Sequence, residues 1–313
     1  MARQRVSYRL LAAVAILSVI SIGAVGAVDV EAKEGGVASA EPATAGSSQI
    51  GAIVSTFTSF VVPRGVGGLS IAIQQLISTS GASAGVTVVE LGGTDPVVWS
   101  VNAGEVFTAA STYKLAVLML EAANIAAGKV DPNGYVCFQE SDYETGWFDD
   151  YEDGACFTRN ELAVRAARYS DNTAGHMLVR DIGGAEVLNA WAGSAGATSS
   201  DFYYGNTTTP ADLAALWEAE ANGELGGAAA QAWLYPLLTN TRTELGVPAG
   251  VSGATVVHKT GTIDLVDNDA ALVTSSASGA YVLVVMTDGL GGAEGWQLVA
   301  EISSVVWQFE NSR

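Results

Sequence analysis

Positive charge is what this sequence has least of. Its 313 residues carry fourteen Lys and Arg against thirty-three Asp and Glu, a formal net charge of −19. That balance excludes nucleic acid as a partner, and an anionic membrane surface would repel the chain too. Only four lysines are present: Lys33, Lys114, Lys129 and Lys259. Histidine and cysteine are scarcer, with two of each. Residues so few and so spread give little support to a zinc site, and neither metal nor cofactor is expected. The chain also lacks internal repeats, and beyond about Gly51 it has no linker composition. Apolar material is plentiful: 49% of residues are hydrophobic and 15% charged, so a sizeable core is affordable and disorder is excluded.

The first 28 residues read as targeting. Arg3, Arg5 and Arg9 precede an apolar run from Leu10 to Val28, with Val25-Gly26-Ala27 as a cleavage site. The run is long for a signal peptide, so a retained single-pass membrane anchor is the alternative. Residues 29–50 have the composition of a flexible linker, and residues 51–313 are expected to form one domain, a monomer. Either reading exports the chain, as a secreted or periplasmic protein or one held on the outer face of the cytoplasmic membrane. In such a compartment Cys137 and Cys156 are expected to form a disulfide. Closing that loop contributes about 3 kcal/mol in the chain-entropy account.

The pattern of elements is strand, strand, a long helical block, then three strands and a helix. A helix is predicted over 69–77 and strands over 85–91 and 96–101. A further helix opens at Ser111, and helical stretches occupy 160–238, one starting at Thr209-Pro210. Strands return at 254–260, 270–275 and 280–287 before a terminal amphipathic helix. The fold class is α/β of the α+β type: an antiparallel sheet built from both chain ends, flanked by helices, with an all-helical lobe inserted. A groove between sheet and lobe is the natural place for a site.

Three short stretches carry chemistry. In "STYKL", Ser111 and Lys114 lie three positions apart, so on a helix hydroxyl and amine share a face. A lysine in an apolar run loses hydration and favours its neutral form, which can take a proton from the hydroxyl. A helix start whose lysine reaches out to water is the ordinary account of the same spacing. In "YSDNT", Ser170, Asp171 and Asn172 are either an N-cap or a polar site. In "HKTGT", Lys259 and Thr260 suit a substrate carboxylate, Gly261 permits close backbone approach, and the Thr262 amide can face an oxyanion. An edge-strand lysine is the plainer reading of that stretch.

The three stretches together, S-x-x-K, S-D-N and K-T-G in that order, are the known signature of class A β-lactamases and penicillin-binding proteins. Residues 65–310 resemble the class A β-lactamase family. The resemblance implies an exported serine hydrolase that attacks a β-lactam or related amide through an acyl-enzyme on Ser111. It implies Lys114 as base or proton relay, and Ser170 as proton donor to the leaving nitrogen. Asn172 would hold a substrate amide, and Lys259, Thr260, Gly261 and Thr262 would bind the carboxylate and line the oxyanion hole. The alternatives are a D-alanyl-D-alanine peptidase acting on cell-wall peptides and a non-catalytic penicillin sensor.

The chain departs from that family in places. The interval from Ser170 to Lys259 is shorter than the family's, which implies a shortened Ω-region. The segment 193–206, where the family carries its Ω-loop glutamate, contains none here, so deacylation is expected to be slow. Asp201 is the carboxylate nearby, on a different loop. Arg242 is the one candidate for the family's carboxylate-binding arginine, and a surface arginine is the plainer reading. The loop between Cys137 and Cys156 holds seven acidic residues and no basic one. A solvated surface loop is the preferred reading. An aromatic lip of Tyr143, Trp147, Phe148 and Tyr151, or a calcium site at Asp149, Asp150, Glu152 and Asp153, are alternatives. His176 and His258 read as packing residues.

Overall fold

The computed structural model describes residues 64–313. The leader over 1–28 and the linker over 29–50 lie outside the described residues. Among the described residues no helix is long and apolar enough to cross a membrane. The membrane anchor considered above is therefore withdrawn as a partner, its stretch from Leu10 to Val28 lying outside the described residues.

A helix, α1 (Val66–Ser80), leads into strands β1 (Ser83–Leu91), β2 (Val98–Val101) and the short β3 (Phe107–Thr108). A 3-10 turn, Ala110–Thr112, then feeds helix α2 (Tyr113–Ala126). Strands β4 (Tyr135–Cys137) and β5 (Cys156–Thr158) bracket the acidic loop and precede helices α3 (Arg159–Arg168), α4 (Asn172–Asp181) and α5 (Ala185–Ser194). Strand β6 (Thr207–Thr208) is followed by helices α6 (Pro210–Ala221) and α7 (Gly227–Leu234). The chain closes with β7 (Thr255–Ile263), β8 (Val266–Ser275), β9 (Gly279–Asp288) and helix α8 (Ala293–Glu310).

Five of these strands make one antiparallel sheet in the order β2-β1-β9-β8-β7, so both ends of the chain supply it. Alternation along β9 shows how the sheet is covered on both faces. Val282, Val284 and Met286 join the core of the helical lobe, while Tyr281, Leu283 and Val285 pack with the terminal helices. Helix α1 contributes Leu69, Ile73 and Leu76 to that second core, and α8 contributes Val299, Ile302 and Phe309. Helix starts follow local chemistry. Thr209 caps α6 by accepting from Asp212 N, with Pro210 in the first turn, and Thr158 and Glu161 form a capping box on α3.

The short strands β3, β4, β5 and β6 were not expected, β7 runs on to Ile263 past the predicted 260, and β8 differs most. β8 begins at Val266, four residues before the predicted 270, because Asp267, Asn268 and Asp269 interrupt the apolar pattern. All three are buried in the strand and each has a partner: Thr262, Thr108 O and His258 respectively. The expected disulfide is present, joining Cys137 and Cys156 where β4 and β5 face each other.

Candidate active site

Ser111 sits in the middle of the 3-10 turn, two residues before the α-helix begins at Tyr113 rather than at its opening as expected. Ala110 before it adopts φ 47°, a left-handed conformation that costs a non-glycine residue of order 1–3 kcal/mol. Neighbouring elements hold the turn in place. Asn268 on β8 donates to Thr108 O at 2.8 Å, and Thr112 Oγ1 donates to Ala109 O at 2.6 Å. Strand β7 presses against the turn through Gly261. A Cβ there would lie 2.8 Å from Ala109 O and from Thr112 N, and 3.0 Å from Ser111 N. Only glycine permits that approach.

Lys114 does not snorkel. Its side chain is fully buried, and its Nζ lies 2.8 Å from Ser111 Oγ, 2.9 Å from Ser170 O and 2.6 Å from Asn172 Oδ1. Burial pushes the amine down to about 7, with Asp171 and Glu144 pulling partly back. The stem fits because residue 175 is glycine: a Cβ there would come within 2.8 Å of Lys114 Cε.

The S-D-N stretch divides its work. Asp171 is the N-cap of α4, accepting from Ala174 N at 2.9 Å. Ser170 has φ 58° and turns its hydroxyl toward Lys259, whose Nζ donates to Ser170 Oγ at 2.9 Å. Asn172, the first residue of α4, accepts from Lys114. Lys259 lies in the interior of β7 beside β8, 1% exposed, so the edge-device reading does not hold for its side chain. Burial and then repulsion from Lys114 hold its amine well below the usual lysine range, Asp269 opposing. Both scarce lysines thus meet across Ser170.

The acidic loop is not merely solvated. Asp171 fixes it by accepting from Trp147 N at 3.2 Å and from the Tyr151 hydroxyl at 2.7 Å. Thr173 Oγ1 accepts from Glu144 N and donates to Glu144 O, at 3.0 and 2.8 Å. Asp142 pairs with Arg180 at 2.8 Å. So anchored, the loop delivers Glu144 to the site, where its Oε1 accepts from Asn172 Nδ2 at 2.5 Å. Trp147 lies over Arg242 at 4.6 Å, and both line a hollow shared with Ser170, Thr260 and Thr262. Arg242 is therefore at the site, not on a remote surface. Asp150 is taken by Arg165 in a two-pronged pair of 2.6 Å bonds, and no group of three His, Cys, Asp or Glu side chains suited to a metal occurs among the described residues. The calcium alternative has no geometry behind it.

A cavity of about 380 Å³ opens over Ser111, walled by Glu144, Asn172, His176, Tyr203, Asn206 and Thr262 among others. Asp201 is not part of this wall. It accepts from Asn189 Nδ2 at 3.2 Å and bridges to Thr207 in the backbone. His258 is buried behind Lys259, with Nδ1 2.9 Å from Asp269 and Nε2 3.2 Å from Glu244. Glu144 escaped sequence reasoning because it sits in an irregular loop with six other carboxylates and nothing in the pattern separates it from them. Gly175, inside α4, and Asn268, inside β8, were silent for another reason: what each touches comes from a different element.

Residues 68–309 match the beta-lactamase enzyme family. The chain belongs to that family, and it is a hydrolase of this general type. Among solved structures it is similar to PBP-A, at 28% identity over 79% of this chain and 98% of that one, with a TM-score of 0.72. A mutant of PBP-A, solved as an acyl-enzyme complex with penicillin G, matches at 28% identity over 80% of this chain and 98% of that one, also with a TM-score of 0.72. A β-lactamase from Sphaerobacter thermophilus DSM 20745 shares the fold at 24% identity and a TM-score of 0.71, covering 80% of this chain and 99% of that one. No curated protein matches the chain.

Proposed function

We propose that residues 51–313 form an exported serine hydrolase that opens β-lactams, or cleaves related cell-wall peptide amides, through an acyl-enzyme on Ser111. The observation that carries the reading is the contact of Ser111 Oγ with a buried Lys114 amine whose pKa lies near 7. A neutral Lys114 takes the Ser111 proton as Oγ bonds to the amide carbon. The backbone amides of Ser111 and Thr262 face the oxyanion. When the carbon–nitrogen bond breaks, Ser170 gives its proton to the departing nitrogen and is resupplied through Lys259, 2.9 Å away, or Lys114. Lys259, Thr260 and Arg242 receive the substrate carboxylate. An incoming anion favours the charged form of Lys259, so binding takes up a proton.

Water then cleaves the ester. The segment 193–206 carries no glutamate and Asp201 is turned away from the cavity. General-base help contributes about 10²–10⁴-fold, so we infer a slow second step and a shortened Ω-region as its cause. The acyl-enzyme known for a PBP-A mutant supports this reading. Intact-protein mass measured from seconds to hours after mixing with benzylpenicillin tests it. A penicilloyl adduct that outlasts minutes is expected. An adduct gone within seconds, with product accumulating, would make the protein a fast β-lactamase and overturn the slow step. A trapped adduct combined with turnover of D-alanyl-D-alanine peptides would favour the peptidase reading.

A further inference from the structure

The two ends of the site have opposite character. Beside Ser170, the hollow with Arg242, Thr260 and Thr262 offers donors and positive charge. Across Ser111, the cavity wall offers acceptors. Glu144 brings a carboxylate that is 51% exposed, and among the described residues it is the one carboxylate lining this cavity. His176 Nδ1 donates to Asp142 O at 3.0 Å, and its Nε2 lies 3.4 Å from Glu144 Oε2, which keeps the ring beside the carboxylate.

Two polar atoms on the same wall are unsatisfied. Among the described residues, Tyr113 Oη and Asn206 Oδ1 are buried with no hydrogen-bond partner, and both residues line the cavity. Tyr113 is 7% exposed, so its hydroxyl has no easy recourse to bulk water. The surroundings are aromatic as well. The Tyr203 ring centre is 5.9 Å from that of Tyr113, 5.2 Å from His176 and 4.9 Å from Tyr204. Tyr203 holds φ 74° and Asn206 φ 47°, strained conformations that aim this short loop at the cavity. A carboxylate, several accepting atoms and aromatic rings are what a primary ammonium needs, since it brings three N–H donors and a charge that stacks on rings.

We propose that this wall is an ammonium subsite, built by Glu144, Tyr113, His176, Tyr203 and Asn206, and that the protein selects acyl donors whose side chain carries a primary amine. The proposal rests on Ser111 acylation as described above. An amide held by Asn172 puts its α-substituent next to Glu144, because Asn172 Nδ2 and Glu144 Oε1 are 2.5 Å apart. The preferred substrate is then a zwitterion: carboxylate toward Lys259 and Arg242, ammonium toward Glu144.

Benzylpenicillin and ampicillin differ by one α-amino group, so the pair isolates the subsite. Second-order rates of adduct formation are measured by quenched intact-protein mass for the native chain, Glu144→Gln and Glu144→Asp. Ampicillin is expected to acylate the native protein about tenfold faster than benzylpenicillin, the size of a partly solvated ion pair with cation–π contacts. That ratio should fall to about one in Glu144→Gln and recover in part in Glu144→Asp. A ratio unchanged by Glu144→Gln, or near one in the native protein, would overturn the subsite. If neither compound forms an adduct, the acylation reading fails instead. Equilibrium binding of benzylammonium then decides the subsite: saturable binding lost in Glu144→Gln upholds it, and no binding by the native protein overturns it.

Discussion

Lys114 is the residue on which the chemistry turns, and its burial sets a pH dependence. The neutral amine is the competent form, and its fraction grows as pH rises through about 7. The acylation rate should therefore climb about tenfold per pH unit below that value and level off above it. A stopped-flow profile with a chromogenic β-lactam between pH 5 and 9 reads this directly, and a flat profile would remove Lys114 as the base. Gly175 makes a second, purely steric prediction. In Gly175→Ala the new Cβ meets Lys114 Cε at 2.8 Å and Tyr113 Oη at 3.0 Å. Displacing the amine by a fraction of an ångström should lower acylation on the order of 10²-fold, at a stability cost of about 1–3 kcal/mol. Acylation at the native rate in that variant would show that Lys114 need not be so tightly held.

At the scale of elements, the disulfide-closed loop and the β7–β8 pair matter most. Opening the Cys137–Cys156 loop by a double Cys→Ser change should cost about 3 kcal/mol, lowering Tm by roughly 6–12 °C. The same change should weaken the Asn172–Glu144 contact, because the loop then relies on Asp171, Thr173 and Arg180 for its anchorage. Scanning calorimetry of the variant checks the first effect. Between β7 and β8, His258 is pulled down by burial, but Asp269 and Glu244 outweigh this and raise it from 6.5 to about 9. A folded-state pKa above the unfolded one means the stabilisation is complete below pH 6.5 and lost as pH rises through about 9. Tm should fall across that window, and His258→Gln should flatten the fall.

Most elements were legible in the sequence because their faces repeat. Period-2 runs marked β1, β7 and β9, and a 3.6 period marked α1 and α8. Strand β8 was truncated in that reading because buried polar residues 267–269 look like a turn until their partners are known. Those partners lie on β7 and on the distant β3, and no local pattern carries such pairings.

Across the whole molecule, the five-stranded sheet made from both chain ends brings residues 111, 170 and 259 into one site. The motifs named those residues, and the order of elements foretold the groove. What stayed hidden was everything that reaches the site from irregular chain: Glu144, Tyr203, Asn206 and the true surroundings of Arg242. A net charge of −19 also hides its exception. The lysines are few, yet two of them are buried 2.9 Å from Ser170, through its carbonyl and its hydroxyl respectively.

The central claim is that Ser111 becomes acylated. Peptide mapping by tandem mass spectrometry after a brief exposure to benzylpenicillin tests it, with Ser111→Ala treated in parallel. The account predicts a penicilloyl mass on the peptide containing Ser111 and none in Ser111→Ala. An adduct on another residue, or one that survives Ser111→Ala, would contradict it.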